Sequence, residues 1–504
     1  VSRALRLVAA VALVAALFGA LLPALSLQLT GDDYQIAQQA HEGLYRPAAL
    51  FSPIGQFIRP VTVWLFALDR VLWGTAPFGY HLVDLVLQTI AALCLVAAAV
   101  RLGLPEGIAW LAGAVWALSP FTMEVAVWSA IQHEQFLLIA WLLLIVAWPH
   151  PSEGWGRRRA VVVGVAIVLA MASKETWIVT PALVLALSWA VEEATRRRTV
   201  AVVGTSTALA LLYTAGRFLA IPSTGGYYRL DPTLLAKVPR LLATVLWFEQ
   251  PLPVPTTLSW RDGLATGAVV ALAVFAWKRH RGAVTVGSAL LLAPLVPVLF
   301  IPFSPLRYGH VPYAGFLLIV AAAVSAARAT LPSRSRWLLG GAAAAVAALV
   351  AAAGVIEVRA TLADWAVVSR AHARLLAQAR AFAPDLPLDR PVVVARLEHE
   401  NVLLEVATAP QGLPQLWYVR HDDPAGLIDA AALFDWVLDR PDVLVTEVGH
   451  WRTELKGVPG SVAGHTPGGF AWLATSTDNV AASGEALLAR GHRLRVIRAT
   501  SLSR

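Results

Sequence analysis

The sequence predicts an α-helical polytopic membrane protein of about eleven transmembrane helices, followed by a C-terminal extracytoplasmic α/β domain. Three observations carry this. The 504 residues are 58% hydrophobic and only 14% charged, against about 25% charged in a typical soluble domain, and a water-soluble fold cannot hide that much apolar surface. The apolar residues gather in long runs separated by short basic loops. Past Ile356 both the runs and the charge imbalance stop.

A helix needs about 20 apolar residues to cross a bilayer. Eleven segments meet or approach that length, near 5–27, 81–101, 107–121, 132–148, 160–173, 176–191, 199–219, 262–277, 283–302, 311–328 and 337–356. The runs at 107–121 and 160–173 are short and are expected to be tilted, broken or joined as hairpins. The first run has Arg3 and Arg6 ahead of it and small residues near Ala24 and Ser26, as a cleaved leader would. Its length, and the membrane protein that follows, predict a retained helix instead. Nineteen tryptophans suit the bilayer interfaces. A single cysteine, Cys94, excludes an intrachain disulfide and a cysteine-based zinc site.

Basic residues set the orientation. With the N-terminus in the cytoplasm, the cytoplasmic pieces hold fifteen Lys and Arg and four acids, while the rest of the chain up to Ile356 holds ten basic residues and eleven acids. This asymmetry also accounts for the net charge of +8 without any nucleic-acid partner. The predicted location is therefore the cell (inner) membrane, with multiple passes and a cytoplasmic N-terminus. An odd number of spans places the tail outside. That tail, 357–504, has fifteen basic and seventeen acidic residues. Its helical pattern over 363–383, the strand-like runs "PVVVARL", "NVLLEVA", "QLWYV", "DVLVTEV", "FAWLATS" and "HRLRVIR", and a helix near 429–439 predict an α/β domain. No 34-residue period is present, which argues against a helical repeat array. The two domains are expected at 1–356 and 357–504.

The first outward loop, 28–80, contains "YQIAQQAHEGLY" and "QFIRPVTVWLFALDRVLWG", which read as helices lying along the membrane surface. Asp32 and Asp33 stand at the foot of this shelf. Adjacent carboxylates repel, which raises one pKa toward the range of a general base; the pair also has the oxygen chemistry to hold a divalent cation such as Mg or Mn. The plainer reading is a cap on a helix starting at Tyr34, favoured by the helix dipole.

Further ionisable residues stand in apolar company, where they are costly. "SPFTMEVAVWSAIQHEQF" places Glu124, His133 and Glu134 between two spans; "MASKETWIVTP" places Lys174 and Glu175 in a turn; "PFSPLRYGHVPYAGF" places Arg307, Tyr308 and His310 at another mouth; Asp84 lies one turn into the second span. With Arg59, these acids and cations converge on one membrane face. Such a set suits an anionic, lipid-linked substrate, with Arg and Lys for phosphate and acids for proton transfer. The plainer readings are that Lys174 and Glu175 stop a helix or pair with each other, and that His133 and His310 are interfacial polar residues. Arg217, Arg229, Lys237 and Arg240 are expected to anchor helix ends.

Taken in order, "GDDYQIAQQA", "IRPVTVWLFALDRVLWGTAPFGYHLVDLVLQTIAALCLV", "SPFTMEVAVWSAIQHEQF", "SKETWIVTP" and "LRYGHVPYAGFLLIV" give the chain its resemblance. Over roughly 25–330 it resembles the polyprenyl-phosphate-sugar-dependent membrane glycosyltransferases of the GT-C class. These include protein O-mannosyltransferases, the aminoarabinose transferases acting on lipid A and, nearest in pattern, the transmembrane O-mannosyltransferases that bear tetratricopeptides. The resemblance implies a GT-C-like catalytic domain with an outward active site, a polyprenyl-phosphate-linked sugar donor, an acceptor hydroxyl on a protein, glycan or lipid, and inversion at the anomeric carbon. It carries the acidic pair onto Asp32, as base, and Asp33, as its support or a metal ligand. It places Lys174 and Arg307 on the lipid phosphate and Glu124 where an acid recurs. Arg59, Tyr308 and His133 complete the expected substrate-binding set. Two departures stand out: the tail is no tetratricopeptide array, and Gly309 and His310 occupy positions where a second aromatic or aliphatic pair is usual. Two other classes fit the composition. A transporter or flippase of a lipid-linked saccharide would need the cations but no base, and would tend to show internal repeats, of which none is convincing. A non-catalytic scaffold with an outer binding domain would find these charges dispensable.

Overall fold

A computed structural model describes residues 2–29, 32–53, 57–74, 76–150, 153, 155–190, 196–221, 234–248, 258–301 and 306–382, with six strands in the tail. Asp32 is described by its backbone. The helices are α1 (Arg3–Leu21), α2 (Asp32–Tyr45), α3 (Pro60–Trp73), α4 (Pro77–Arg101), α5 (Glu106–Ala117), α6 (Pro120–Val127), α7 (Gln132–Ala147), α8 (Arg157–Ser173), α9 (Thr180–Ala190), α10 (Arg196–Ala220), α11 (Leu234–Trp247), α12 (Trp260–Leu292), α13 (Leu295–Val298), α14 (His310–Thr330) and α15 (Ser333–Phe382). Short 3-10 turns cover Ser129–Ile131, Glu175–Val179 and Leu306–Gly309, among others.

Among the described residues seven helices are long and apolar enough to cross a membrane, or eight if one bent pair counts as a span. This corrects the expected eleven, for identifiable reasons. The runs at 262–277 and 283–302 belong to one element, continuous through α12 to Val298 and kinked at His280 (φ −132, ψ 44). The kink falls among Lys278, Arg279 and Arg281, charges that a hydrocarbon layer would not accept mid-span. The run at 107–121 breaks at Ser119-Pro120, where α5 and α6 meet at 58°; Pro120 takes the first position of α6, where its missing N–H costs nothing. The runs at 160–173 and 176–191 are helices, but α8 has 17 residues and α9 only 11. The chain is thus a multi-pass membrane protein whose spans are fewer than its apolar runs.

The chain divides into two compact units. The first comprises Val1–Ser26, Arg46–Phe66 and Phe78–Ala363; the second comprises Leu27–Tyr45, Ala67–Pro77 and Asp364–Arg504. In the first unit α14 is buried nearly throughout and packs against α12. Glycine permits that approach: a Cβ on Gly315 would stand 2.5 Å from the Gly287 carbonyl oxygen, so the two backbones meet as in small-residue membrane crossings. The outer helices turn large apolar side chains away from the protein: Leu211 and Leu212 on α10, Trp337 and Leu338 on α15 are all more than two-thirds exposed. Such a belt belongs against lipid. Arg240 donates to Asp262 (3.1 Å), tying α11 to the start of α12, where Ser259 and Asp262 form a capping box.

In the second unit α2 begins at Asp32, two residues before the start expected at Tyr34. Asp32 and Asp33 therefore lie in the first helical turn, where the dipole favours negative charge. The backbone N–H of Gln28 donates to Ser369 Oγ (2.8 Å), fastening the segment ahead of α2 to α15. The tail strands β1 (Val392–Arg396), β2 (Gln415–Arg420), β3 (Asp442–Val448), β4 (Val462–His465), β5 (Ala471–Ser476) and β6 (Arg495–Thr500) form one sheet in the order β2-β6-β1-β3-β5-β4. β1 and β3 run parallel, with Val394 opposite Thr446; the other neighbours are antiparallel. The mixed sheet matches the α/β expectation in five of its strands. The sixth, β4, was not expected, and "NVLLEVA" and the helix near 429–439 lie outside the described residues.

Candidate functional site: a buried cluster of paired cations

The first unit gathers Arg59, Glu124, His133, Lys174, Arg307 and Tyr308, from segments far apart in the chain. Each is positioned by a break in a helix. Arg59 precedes Pro60, which opens α3. Glu124 rides on the short α6, beyond the bend. His133 and Glu134 occupy the first turn of α7, just after a 3-10 turn. Lys174 is extended (φ −151, ψ 150) between α8 and the 3-10 turn beginning at Glu175. Arg307 and Tyr308 lie in the 3-10 turn that leads into α14.

The pairing of these groups is specific. Arg59 Nη2 donates to Glu175 Oε2 at 3.2 Å. Lys174 Nζ donates to Glu134 Oε1. The Arg307 guanidinium donates to Glu124 Oε1, and the Arg307 backbone N–H to Glu124 Oε2 at 3.2 Å. Lys174 and Glu175 thus do not pair with each other. Aromatic faces complete the enclosure: Lys174 Nζ is 4.8 Å from the centroid of Tyr308, and the Arg307 guanidinium carbon is 5.2 Å from Trp128 and 5.5 Å from Tyr308, within cation–π range. The Arg59 guanidinium lies 4.1 Å over Phe57. His133 is buried, within electrostatic reach of Arg59, Lys174 and Arg307 together. No side chain in the cluster is more than a fifth exposed.

Removing charge from water is costly, and mutual attraction repays it only with good geometry. Burial pulls the Lys174 ammonium below its ordinary pKa; the Glu134 carboxylate acts in the opposite sense and favours the charged form. Three cations and three carboxylates leave the cluster close to neutral. Chemically it is a set of fixed donors for an anion with several oxygens.

The unusual Gly309–His310 pair finds its reasons here. A Cβ on Gly309 would stand 2.3 Å from Phe121 Cδ1, so only glycine lets α6 lie against the turn that carries Arg307. His310 is fully buried against Trp116 (ring centroids 5.0 Å), whose indole N–H donates to the His310 carbonyl at 3.0 Å. It is a packing residue rather than one at a mouth. Phe121 continues into an aromatic group with Phe248 (5.2 Å) and Tyr313 (5.2 Å). Phe248 adopts φ 56, a conformation uncommon outside glycine. Tyr313 also lines an apolar cavity of about 450 Å³ formed with Leu111, Val115, Leu317, Val320 and Val346.

Asp84, expected among the converging acids, is occupied elsewhere. It is fully buried and accepts from Ser129 Oγ (2.6 Å) and Gln132 Nε2 (2.6 Å), with His81 Nδ1 at 3.6 Å. These bonds hold the start of α7, which bears His133 and Glu134. Asp32 and Asp33 belong to the second unit, and Asp33 is fully buried there and partnered. Among the described residues no group of three or more His, Cys, Asp and Glu gathers so as to hold a metal. The sequence reading missed the partner roles of Glu134 and Glu175; their only signal was the presence of acids beside the cations.

No protein-family model matches the sequence, and no curated relative matches it. The solved structures that match the fold include two of one protein. Both are of ArnT from Cupriavidus metallidurans: in the apo state, with a TM-score of 0.58 at 15% identity, and bound to undecaprenyl phosphate, with a TM-score of 0.54 at 13% identity. In each case the match covers 96% of this chain and 99% of the other. The chain therefore shares the GT-C-like fold of ArnT over nearly its full length.

Proposed function

We propose that the chain is a membrane glycosyltransferase that moves a sugar from a polyprenyl-phosphate donor to an acceptor hydroxyl, with inversion, on the outer face of the cell membrane. The observation that carries this reading is the buried triad Arg59, Lys174 and Arg307, held on three separate helix breaks inside an apolar protein. A scaffold has no use for such costly groups. The full-length likeness to a protein solved with undecaprenyl phosphate supports a lipid-phosphate ligand. In this reading the N-terminus is cytoplasmic and the tail domain, 357–504, extracytoplasmic, which the surplus of basic residues near the ends of the spans supports.

The donor's lipid phosphate is the leaving group. As the bond between the anomeric carbon and the phosphate oxygen breaks, its electron pair goes to phosphate, and fixed cations steady the added charge. Lys174 and Arg307 take this role, with Arg59 beside them; Tyr308 and His133 wall the site and Glu124 holds Arg307 in place. The acceptor oxygen forms the new bond on the opposite face of the sugar, through an oxocarbenium-like transition state. Asp32 takes the acceptor's proton, and Asp33 supports it. The isoprenoid chain requires an apolar bed; the cavity beginning at Tyr313, six residues after Arg307, offers one.

The test is Asp32→Asn in purified protein. Transfer is lost while the protein stays folded in the membrane. Turnover close to that of the unaltered protein refutes Asp32 as base.

A further inference from the structure

We propose that Glu134 is a product-release residue: its carboxylate competes with the departing lipid phosphate for Lys174 and so keeps the product from lodging in the site. This rests on the lipid-phosphate reading above. The argument begins with charge. A sugar phosphodiester carries one negative charge. When its sugar leaves, the phosphate becomes a monoester whose second pKa is about 6, so it approaches two charges at neutral pH. A site of three cations would therefore hold the product more tightly than the donor, and turnover would stall on release.

The structure supplies a counterweight. Glu134 is buried on the first turn of α7, with its side chain 3% exposed. It pairs directly with Lys174 and acts electrostatically on Arg59 and Arg307 as well, so its single charge is felt by all three cations. Its place is fixed from behind. The Asp84 carboxylate grips Ser129 and Gln132, and Gln135 Nε2 donates to the Asp84 carbonyl at 3.0 Å. A carboxylate held this firmly cannot withdraw far when phosphate enters. Of the pair, Lys174 has the side chain able to turn, a flexible four-carbon stem at the end of α8. Lys174 turns to the phosphate during transfer and returns to Glu134 as the product leaves. No bond is made or broken in this exchange beyond the transfer step already described.

The experiment compares the unaltered protein with Glu134→Gln in nanodiscs, using undecaprenyl phosphate as the probe. Glutamine keeps the shape and removes the charge. The expected result is binding at least about tenfold tighter in Glu134→Gln, together with one fast turnover followed by a slow steady state, so that donor KM and kcat fall together. Glu134→Asp withdraws the carboxylate by one methylene and gives an intermediate tightening; it is the variant to read if Glu134→Gln does not fold. A merely structural Glu134 would weaken binding and abolish the fast first turnover. Equal or weaker binding in the variants, with measurable binding in the unaltered protein, overturns the inference and leaves the phosphate reading standing. Binding by none of the proteins overturns both.

Discussion

Two arginine–carboxylate clusters flank α8, a helix of 17 residues and hence about 25 Å long. At its N-terminal end, Glu153 accepts from Arg101 (Nη1, 3.0 Å) and Arg159 (Nη1, 2.6 Å), and Arg101 also donates to the Trp148 carbonyl at 2.7 Å. These side chains are a quarter to a third exposed. Just past its C-terminal end, Lys174 meets Glu134, with Arg59–Glu175 and Arg307–Glu124 close by, all largely buried. The same residue types serve opposite ends. The exposed cluster closes a loop at little cost because water still solvates its charges. The buried cluster pays a desolvation penalty that a stability role alone does not repay. The difference supports reading the exposed cluster as a fastening and the buried one as the proposed site.

The sharpest way to break this contrast is at Lys174. Lys174→Met leaves Glu134 buried and without its cation, which costs about 3–5 kcal/mol, and transfer is lost. The double variant Lys174→Met/Glu134→Gln regains most of that stability and none of the transfer. Thermal unfolding in detergent and donor turnover, measured side by side, separate the two effects. Arg307→Lys keeps the charge and loses the planar fork; we expect roughly tenfold weaker donor use with folding unchanged. Gly309→Ala drives a Cβ into Phe121; it costs about 1–3 kcal/mol and lowers transfer by displacing Arg307. The smallest effect is expected at the other end of α8, where Arg159→Met leaves transfer unchanged.

The exposed end has its own pH signature. Hydrogen bonds from Arg101 and Arg159 hold the Glu153 carboxyl well below the usual carboxylate range. A depressed pKa contributes stability above the unfolded value, and that contribution is lost as pH falls through the folded value. The stability difference between Arg101→Met and the unaltered protein should therefore be full at neutral pH, begin to shrink as pH falls through the ordinary carboxylate range, and vanish in strong acid. Salt at molar concentration should shrink it and leave the buried cluster's contribution nearly intact.

Much of this contrast was legible in the sequence. A cation inside an apolar run is conspicuous, and Arg59, Lys174 and Arg307 were all found that way. The partners were not legible. Lys174 and Glu175 are neighbours, so pairing within the dipeptide was a natural reading; the extended backbone at Lys174 turns successive side chains to opposite sides, and each finds a carboxylate or guanidinium from another segment. Span counting failed for a related reason. Apolar runs mark what is buried, in lipid or in protein, and do not mark where Pro120 or His280 bends the path. In the tail, alternation revealed the longer strands, while β4, four residues of "VAGH" with a glycine inside, carried too little pattern to see.

The central claim is that the buried cations serve a phosphate from which a sugar is transferred. Proteoliposomes containing the protein and a polyprenyl-phosphate sugar labelled in the lipid test it directly. The account requires release of free polyprenyl phosphate by the unaltered protein and none by Lys174→Met. Donor that changes leaflet but stays intact would contradict it and point to a transporter.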